Sequence, residues 1–313
     1  MRRDLALLLL LVLALVACAP PAADAGGSRL RVVATTTQVG EAARVVGGDA
    51  IELTVLLPPG AEAHDFEITP DAAAAIERAD LILKSGAGLE SWLDDALTTI
   101  GGEERVRDMS SGIELRAVAS DGHAGDAGDD HDGEAIDPHY WLNAPNATAL
   151  VENVRAALAE ALPDGSDQLT SRARQYTERL AAADAEIREL LGRLPAERRG
   201  VVTNHDALGY FLDEYGFRLV GTIFGSLDVA AEPDPGQLAE LVETIRRERV
   251  TAIFSESAVN PRLALVVAEE TGARVMEEPL YTDSLGPPGS GADTLDGMLL
   301  HNARVLYEGL SDR

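Results

Sequence analysis

The chain has 313 residues, 46% of them hydrophobic, which supplies a sizeable core and excludes wholesale disorder. Acidic side chains outnumber basic ones 53 to 26, and a net charge of −27 argues against nucleic acid as a partner and against electrostatic adhesion to anionic lipid. Cys18 is the only cysteine, so the chain forms no internal disulfide.

The first residues, MRRDLALLLLLVLALVACAP, have the form of an export signal. Arg2 and Arg3 make a short positive region, and Leu5 to Val16 form an apolar run too short and too early for a typical spanning helix. The run ends in Leu15-Val16-Ala17-Cys18, which resembles the lipobox of bacterial lipoproteins. Residues 1–17 are then a signal peptide, and Cys18 is the acylated first residue, whose several acyl chains hold the protein at a membrane face. A plain secretory signal with a chance cysteine is the alternative. Residues 18–28, rich in Pro, Ala and Gly, read as a flexible tether.

LRVVATT and IELTVLL read as strands on either side of the helical EAARVVGG. TPDAAAAIERA reads as a helix opened by Thr69-Pro70, and DLILKSG as a further buried strand. Strands alternating with helices predict βαβ units and a parallel sheet in an N-terminal α/β lobe, residues 29–165. Inside it, residues 120–136 form an acidic Gly/Asp/His-rich loop containing His123 and His131. Asn146 is the expected cap of the helix that follows. Residues 166–194 predict one linking helix of roughly eight turns, long enough for a rigid strut. From residue 195 to 313 the strand–helix alternation restarts as a C-terminal α/β lobe, closed by the helix ADTLDGMLLHNARVLYEGL.

The chain has six histidines. His139, in DPHYWLNAPNA, sits just past a turn set by Pro138, and alone it reads as a structural histidine. His64 and His205 lie between a strand and a helix, on the edge where α/β folds gather ligands. Three histidines in loops, none on an apolar helical face, shift the reading toward a metal site, because imidazole suits intermediate and soft divalent ions. His301, among Leu299, Leu300 and Val305 on the last helix, reads as structural. The acidic loop fails as an EF-hand: with Gly133 at position 6, Gly128 and His139 stand where Asp and Glu are needed. No H-E-x-x-H or G-x-S-x-G marks a hydrolase.

The segments PPGAEAHDFEITP, DPHYWLNAPNA, VTNHDALGYF, FSESAVNPRLA and EPLYTDSLG occur in this order between about Arg31 and the C-terminus. Together they resemble the metal-binding substrate-binding lipoproteins of bacterial zinc/manganese ABC importers, the cluster A-I family. The resemblance implies two Rossmann-like lobes with parallel sheets, joined by one long backbone helix, with the metal in the interlobe cleft. It places the ligands on His64, His139, His205 and the TDSL carboxylate Asp283. His64 and His139 would come from the N-terminal lobe, His205 and Asp283 from the C-terminal one. Glu256 is the alternative carboxylate or a group supporting the site. Many relatives read WLDP where this chain has Trp141-Leu142-Asn143-Ala144, so Asn143 is a candidate support for His139 that brings no charge. A His/Asp-rich loop in zinc-importing relatives makes His123 and His131 candidates for auxiliary metal collection; a solvated loop is the equal alternative.

Three imidazoles and one carboxylate favour Zn²⁺ over the harder Mn²⁺, which relatives with this donor set also accept. The implied protein is a monomer and not an enzyme. It captures zinc outside the cytoplasm, lipid-anchored at the outer face of the cytoplasmic membrane or periplasmic, and hands it to a permease and its ATPase. The alternatives are a manganese-specific binding protein, an exported zinc metalloenzyme, and a surface adhesin. The enzyme would need its fourth metal position open to water.

Overall fold

The computed structural model describes residues 29–64, 66–118, 135–225 and 234–311. Cys18, the signal and tether segments, His123 and His131 lie outside the described residues, as does most of the acidic loop.

Val32, Val33 and Ala34 of β1 (Leu30–Ala34) are buried, as expected of an interior strand covered on both faces. β2 (Ile51–Val55) and β3 (Leu81–Lys84) pair with it in parallel, and β4 (Val106–Asp108) adds beyond β3, giving the order β2-β1-β3-β4. The connecting helices start where the sequence offers oxygen caps. Thr36 accepts from the Val39 amide at α1 (Thr37–Gly47), and Thr69, followed by Pro70, accepts from Ala72 at α2 (Pro70–Arg78). α3 (Ser91–Ile100) lies between β3 and β4. A short antiparallel ladder, β5 (Ala117–Val118) with β6 (Ala135–Ile136), follows.

Asn143, not Asn146, caps α4 (Ala144–Ala161): its Oδ1 accepts from the Asn146 amide at 2.8 Å. Pro145 in the first turn explains the earlier start, since its fixed φ is already helical and its missing N–H is one that no helix would satisfy. α5 (Ser166–Leu191) has 26 residues, about 39 Å at 1.5 Å per residue. It ends three residues short of the expected 194, because Gly192 is a poor helix former and Pro195 disfavours helix just before it. Leu169, Ala173, Tyr176, Leu180, Ala183, Ile187 and Leu191 make its single buried stripe. That stripe packs against α4 and against α9 (Leu295–Ser311).

Beyond α5, β7 (Gly200–Thr203) pairs in parallel with β8 (Arg218–Thr222), and β9 (Ala252–Ile253) with β10 (Arg274–Val275). A parallel bridge between Thr203 and Phe254 joins the two pairs, and the Phe254 amide donates to the Val202 carbonyl at 2.9 Å. The resulting order, β8-β7-β9-β10, repeats that of the first sheet. α6 (Gly209–Tyr215), α7 (Pro235–Glu248) and α8 (Arg262–Thr271) complete this lobe. Behind its sheet Val202, Ile223, Ile245, Ile253 and Val267 form an apolar cluster separate from the main core. Two lobes of one winding therefore carry His64, His205 and Asp283 on the loops that follow β2, β7 and β10, beyond the carboxyl ends of parallel strands.

Candidate metal centre

His139 stands before a 3₁₀ turn, Tyr140–Leu142, whose side chains are all buried. The Tyr140 hydroxyl donates to the Ser85 carbonyl at 2.9 Å, and the Trp141 indole N–H donates to the Thr282 carbonyl at 2.9 Å. Glu90 ties the ends of β1 and β3 beneath them, accepting from Thr35 Oγ1 and from the amides of Ser85 and Gly86. The histidine is thus mounted on a fixed platform. Asp137 completes it. Its Oδ1 accepts from the His139 amide at 3.0 Å and lies 2.8 Å from His139 Nδ1. A carboxylate can only accept, so Nδ1 carries a proton and Nε2 is the atom that would meet a metal.

His139 Nε2 lies 3.2 Å from His64 Nε2 and 3.1 Å from Asp283 Oδ1. Asp283 Oδ1 is 3.8 Å from His64 Nε2, and Asp283 Oδ2 is 3.7 Å from His205 Nε2. One donor atom from each of the four residues falls within 4.8 Å of the others. Ligands about 2.0–2.1 Å from a tetrahedral ion stand roughly 3.3 Å apart, so these spacings suit a shared cation. His205 Nε2, fully buried, has no hydrogen-bond partner among the described residues, a costly state that a bound cation relieves. Only His64 of the four has an exposed portion, 16% of its side chain, so the route to solvent passes it.

The structure brings together the four residues expected from the sequence and sets Glu256 against one of them. Glu256 lies behind His205: its Oε2 is 2.8 Å from His205 Nδ1, and its Oε1 accepts from the amides of Asn204 and His205, both at 3.0 Å. Asn143 does not support His139; it is the cap of α4, and Asp137 holds the place against the imidazole. The signal for Asp137 was present in the sequence, an Asp two residues before a candidate ligand. His301, on α9, stands 2.9 Å from the Pro279 carbonyl and edge-on to Tyr281.

Burial alone lowers the pKa of His139, but the carboxylates of Asp137 and Asp283 outweigh it and raise it to about 9. His205 is likewise raised well above its ordinary value, burial again opposing and Glu256 and Asp283 prevailing. Burial pushes Asp283 up, yet His205 and His139 hold it well below the usual carboxylate range. The buried carboxylates thus favour positive charge at these two imidazoles, where a divalent cation would bring its own.

A family model described as zinc-uptake complex component A, periplasmic, matches residues 32–309. The manganese-binding lipoprotein MntA of Halalkalibacterium halodurans is 30% identical over 306 residues, covering 96% of this chain and 97% of its own length. The manganese ABC transporter substrate-binding lipoprotein PsaA of Streptococcus anginosus is 29% identical, with 98% of each chain covered. Among solved structures, the periplasmic zinc-binding protein TroA of Treponema pallidum superposes with a TM-score of 0.80 at 27% identity, covering 90% of this chain and 99% of its own. The chain belongs to the zinc-uptake component A family, whose members are substrate-binding proteins of ABC transporters and not enzymes.

Proposed function

We propose that this family member captures one divalent transition-metal ion outside the cytoplasm through His64, His139, His205 and Asp283, and delivers it to a membrane permease driven by an ATPase. The observation that carries the ligand assignment is the convergence of four donor atoms within 4.8 Å, three of them on side chains with no solvent contact. The lobes on either side of the cleft, residues 29–165 and 195–313, are linked by α5. Acylation at Cys18 would hold the protein at the membrane beside its permease, and mass spectrometry of the mature N-terminus tests it.

Zinc is the cargo we infer, because three imidazoles and one carboxylate suit Zn²⁺ better than a harder ion. Manganese is a second reading with its own support. Asp283 turns Oδ1 toward His64 and His139 and Oδ2 toward His205, so a bidentate carboxylate would raise the oxygen count that Mn²⁺ prefers. The names of MntA and PsaA point the same way. Raw affinity favours zinc over manganese at any such site, so the metal carried by the protein isolated from its own cells decides between them: zinc supports the first reading and manganese the second.

A further inference from the structure

Arg116 immediately precedes β5 and has no part in the four converging donors. Its guanidinium nevertheless reaches residues beside ligands from both lobes. Nη1 lies 3.4 Å from Asp137 Oδ2, on the carboxylate whose other oxygen holds His139, and 3.9 Å from Asp206 Oδ2, next in sequence to His205. Nε lies 3.0 Å from Asp213 Oδ2 on α6. The backbone repeats the connection. The Arg116 amide donates to the Tyr210 hydroxyl at 2.8 Å, that hydroxyl donates to the Asp137 carbonyl at 2.9 Å, and the Asp137 amide donates to the Arg116 carbonyl at 2.9 Å. Residues 116 and 137 are thus clamped to each other and to the first turn of α6.

Gly209 supplies an independent observation. It opens α6, and no left-handed backbone angle calls for glycine there. Glycine in a helix costs about 1 kcal/mol relative to alanine, so a reason is needed. A Cβ at this position would overlap the Arg116 guanidinium and stand 2.8 Å from Asp137 Oδ2. The missing side chain is the opening through which Arg116 reaches Asp137. Burial sharpens the need for the contact: the Asp137 side chain is fully buried, and Arg116 is the cation that reaches it.

We propose that Arg116 is a positioning residue for the metal site: by clamping Asp137 against the start of α6, it fixes the imidazole of His139 relative to His205 across the cleft. The inference rests on the ligand assignment proposed above. Groups that hold a metal-ligating histidine through a carboxylate are worth about 10- to 100-fold in metal affinity when removed. Arg116→Gln is expected to weaken zinc binding by about that factor, and Gly209→Ala, which blocks the same contact sterically, by a similar one. Combining them should cost little more than either alone, because both break one interaction. Arg116→Lys keeps the charge without the fork and should recover only part of the loss.

The test is zinc affinity of the mature wild-type and variant proteins by chelator competition, with the visible spectrum of the Co²⁺-loaded forms as a second readout. A role confined to stability leaves the cobalt bands unchanged in every variant that folds; a shift of those bands in Arg116→Gln, Arg116→Lys or Gly209→Ala supports positioning. Wild-type affinity and an unchanged cobalt spectrum in the Gln and Ala variants, or losses that multiply in the double variant, overturn the proposal while leaving the ligand assignment intact. A wild-type protein that takes up neither zinc nor manganese overturns both.

Discussion

His139 shows how a sequence makes one imidazole into a ligand. Pro138 sets the turn, Tyr140 and Trp141 anchor it in the core, and Asp137 fixes the tautomer. Its removal takes away the imidazole that Asp137 holds in place and the nearest partner of Asp283 Oδ1. A ligand fixed by a carboxylate is a strong one, so His139→Ala should lose far more zinc affinity than Asp283→Ala, which keeps three imidazoles. Isothermal titration of both variants checks the ranking, and equal losses refute it. Protonation follows from the same contacts. Metal entering at pH 7 must displace the protons of His139 and His205, so binding should release protons to the buffer and strengthen as pH rises toward about 9. Titrations in buffers of different ionisation enthalpy measure that release, and a buffer-independent heat contradicts it. The metal-free form behaves oppositely. A raised histidine pKa contributes stability that is complete below the unfolded value of 6.5 and lost as pH rises through about 9. The depressed pKa of Asp283 contributes stability above about 3.8 that is lost on acidification. Metal-free protein should therefore resist urea best between about pH 4 and 6.5, and a stability that climbs from 6.5 to 9 would count against these shifts.

Most elements were legible because their signals are local. Thr69-Pro70 opens α2, the apolar stripe of α5 recurs at helical spacing, and the alternating strands are runs of Val, Ile and Leu. The cap of α4 was displaced by three residues because Asn143 and Asn146 both look like caps, and only the geometry around Pro145 separates them. That displacement changes the meaning of Asn143. A cap needs a side-chain oxygen and no particular charge, and Asp there would gain slightly from the helix dipole. Asn143→Asp should keep both stability and zinc affinity, whereas Asn143→Ala should lower stability by about 1 kcal/mol in urea denaturation with affinity retained. A marked change in affinity for Asn143→Asp would return this residue to the metal site.

Across the whole molecule, two α/β lobes with parallel sheets were legible from the restarted strand–helix alternation, but the strand order they share was hidden. So was the position of Asp283. Reading along the chain assigns it to the C-terminal lobe with His205, but hydrogen bonds show that its loop is strapped to both. The Thr282 carbonyl accepts from Gln38 Nε2 at 3.2 Å and from Trp141 Nε1 at 2.9 Å. Gly60 donates to Ser284 Oγ at 2.8 Å, and Leu285 donates to Thr37 Oγ1 at 2.8 Å. On the other side, Thr282 Oγ1 donates to Glu256 Oε2 at 2.8 Å, and the Leu280 amide bonds the Ser255 carbonyl. Four bonds to the N-terminal lobe mean that separating the lobes cannot carry Asp283 away with His205 unless the strap breaks. Loosening it should speed metal loss. Each bond of this kind contributes about 0.5–1.5 kcal/mol, so Thr37→Ala with Ser284→Ala, which removes two of them, should accelerate zinc dissociation roughly tenfold. Chelator-capture stopped flow measures the rate, and an unchanged rate in the double variant would show that Asp283 leaves with the C-terminal lobe after all.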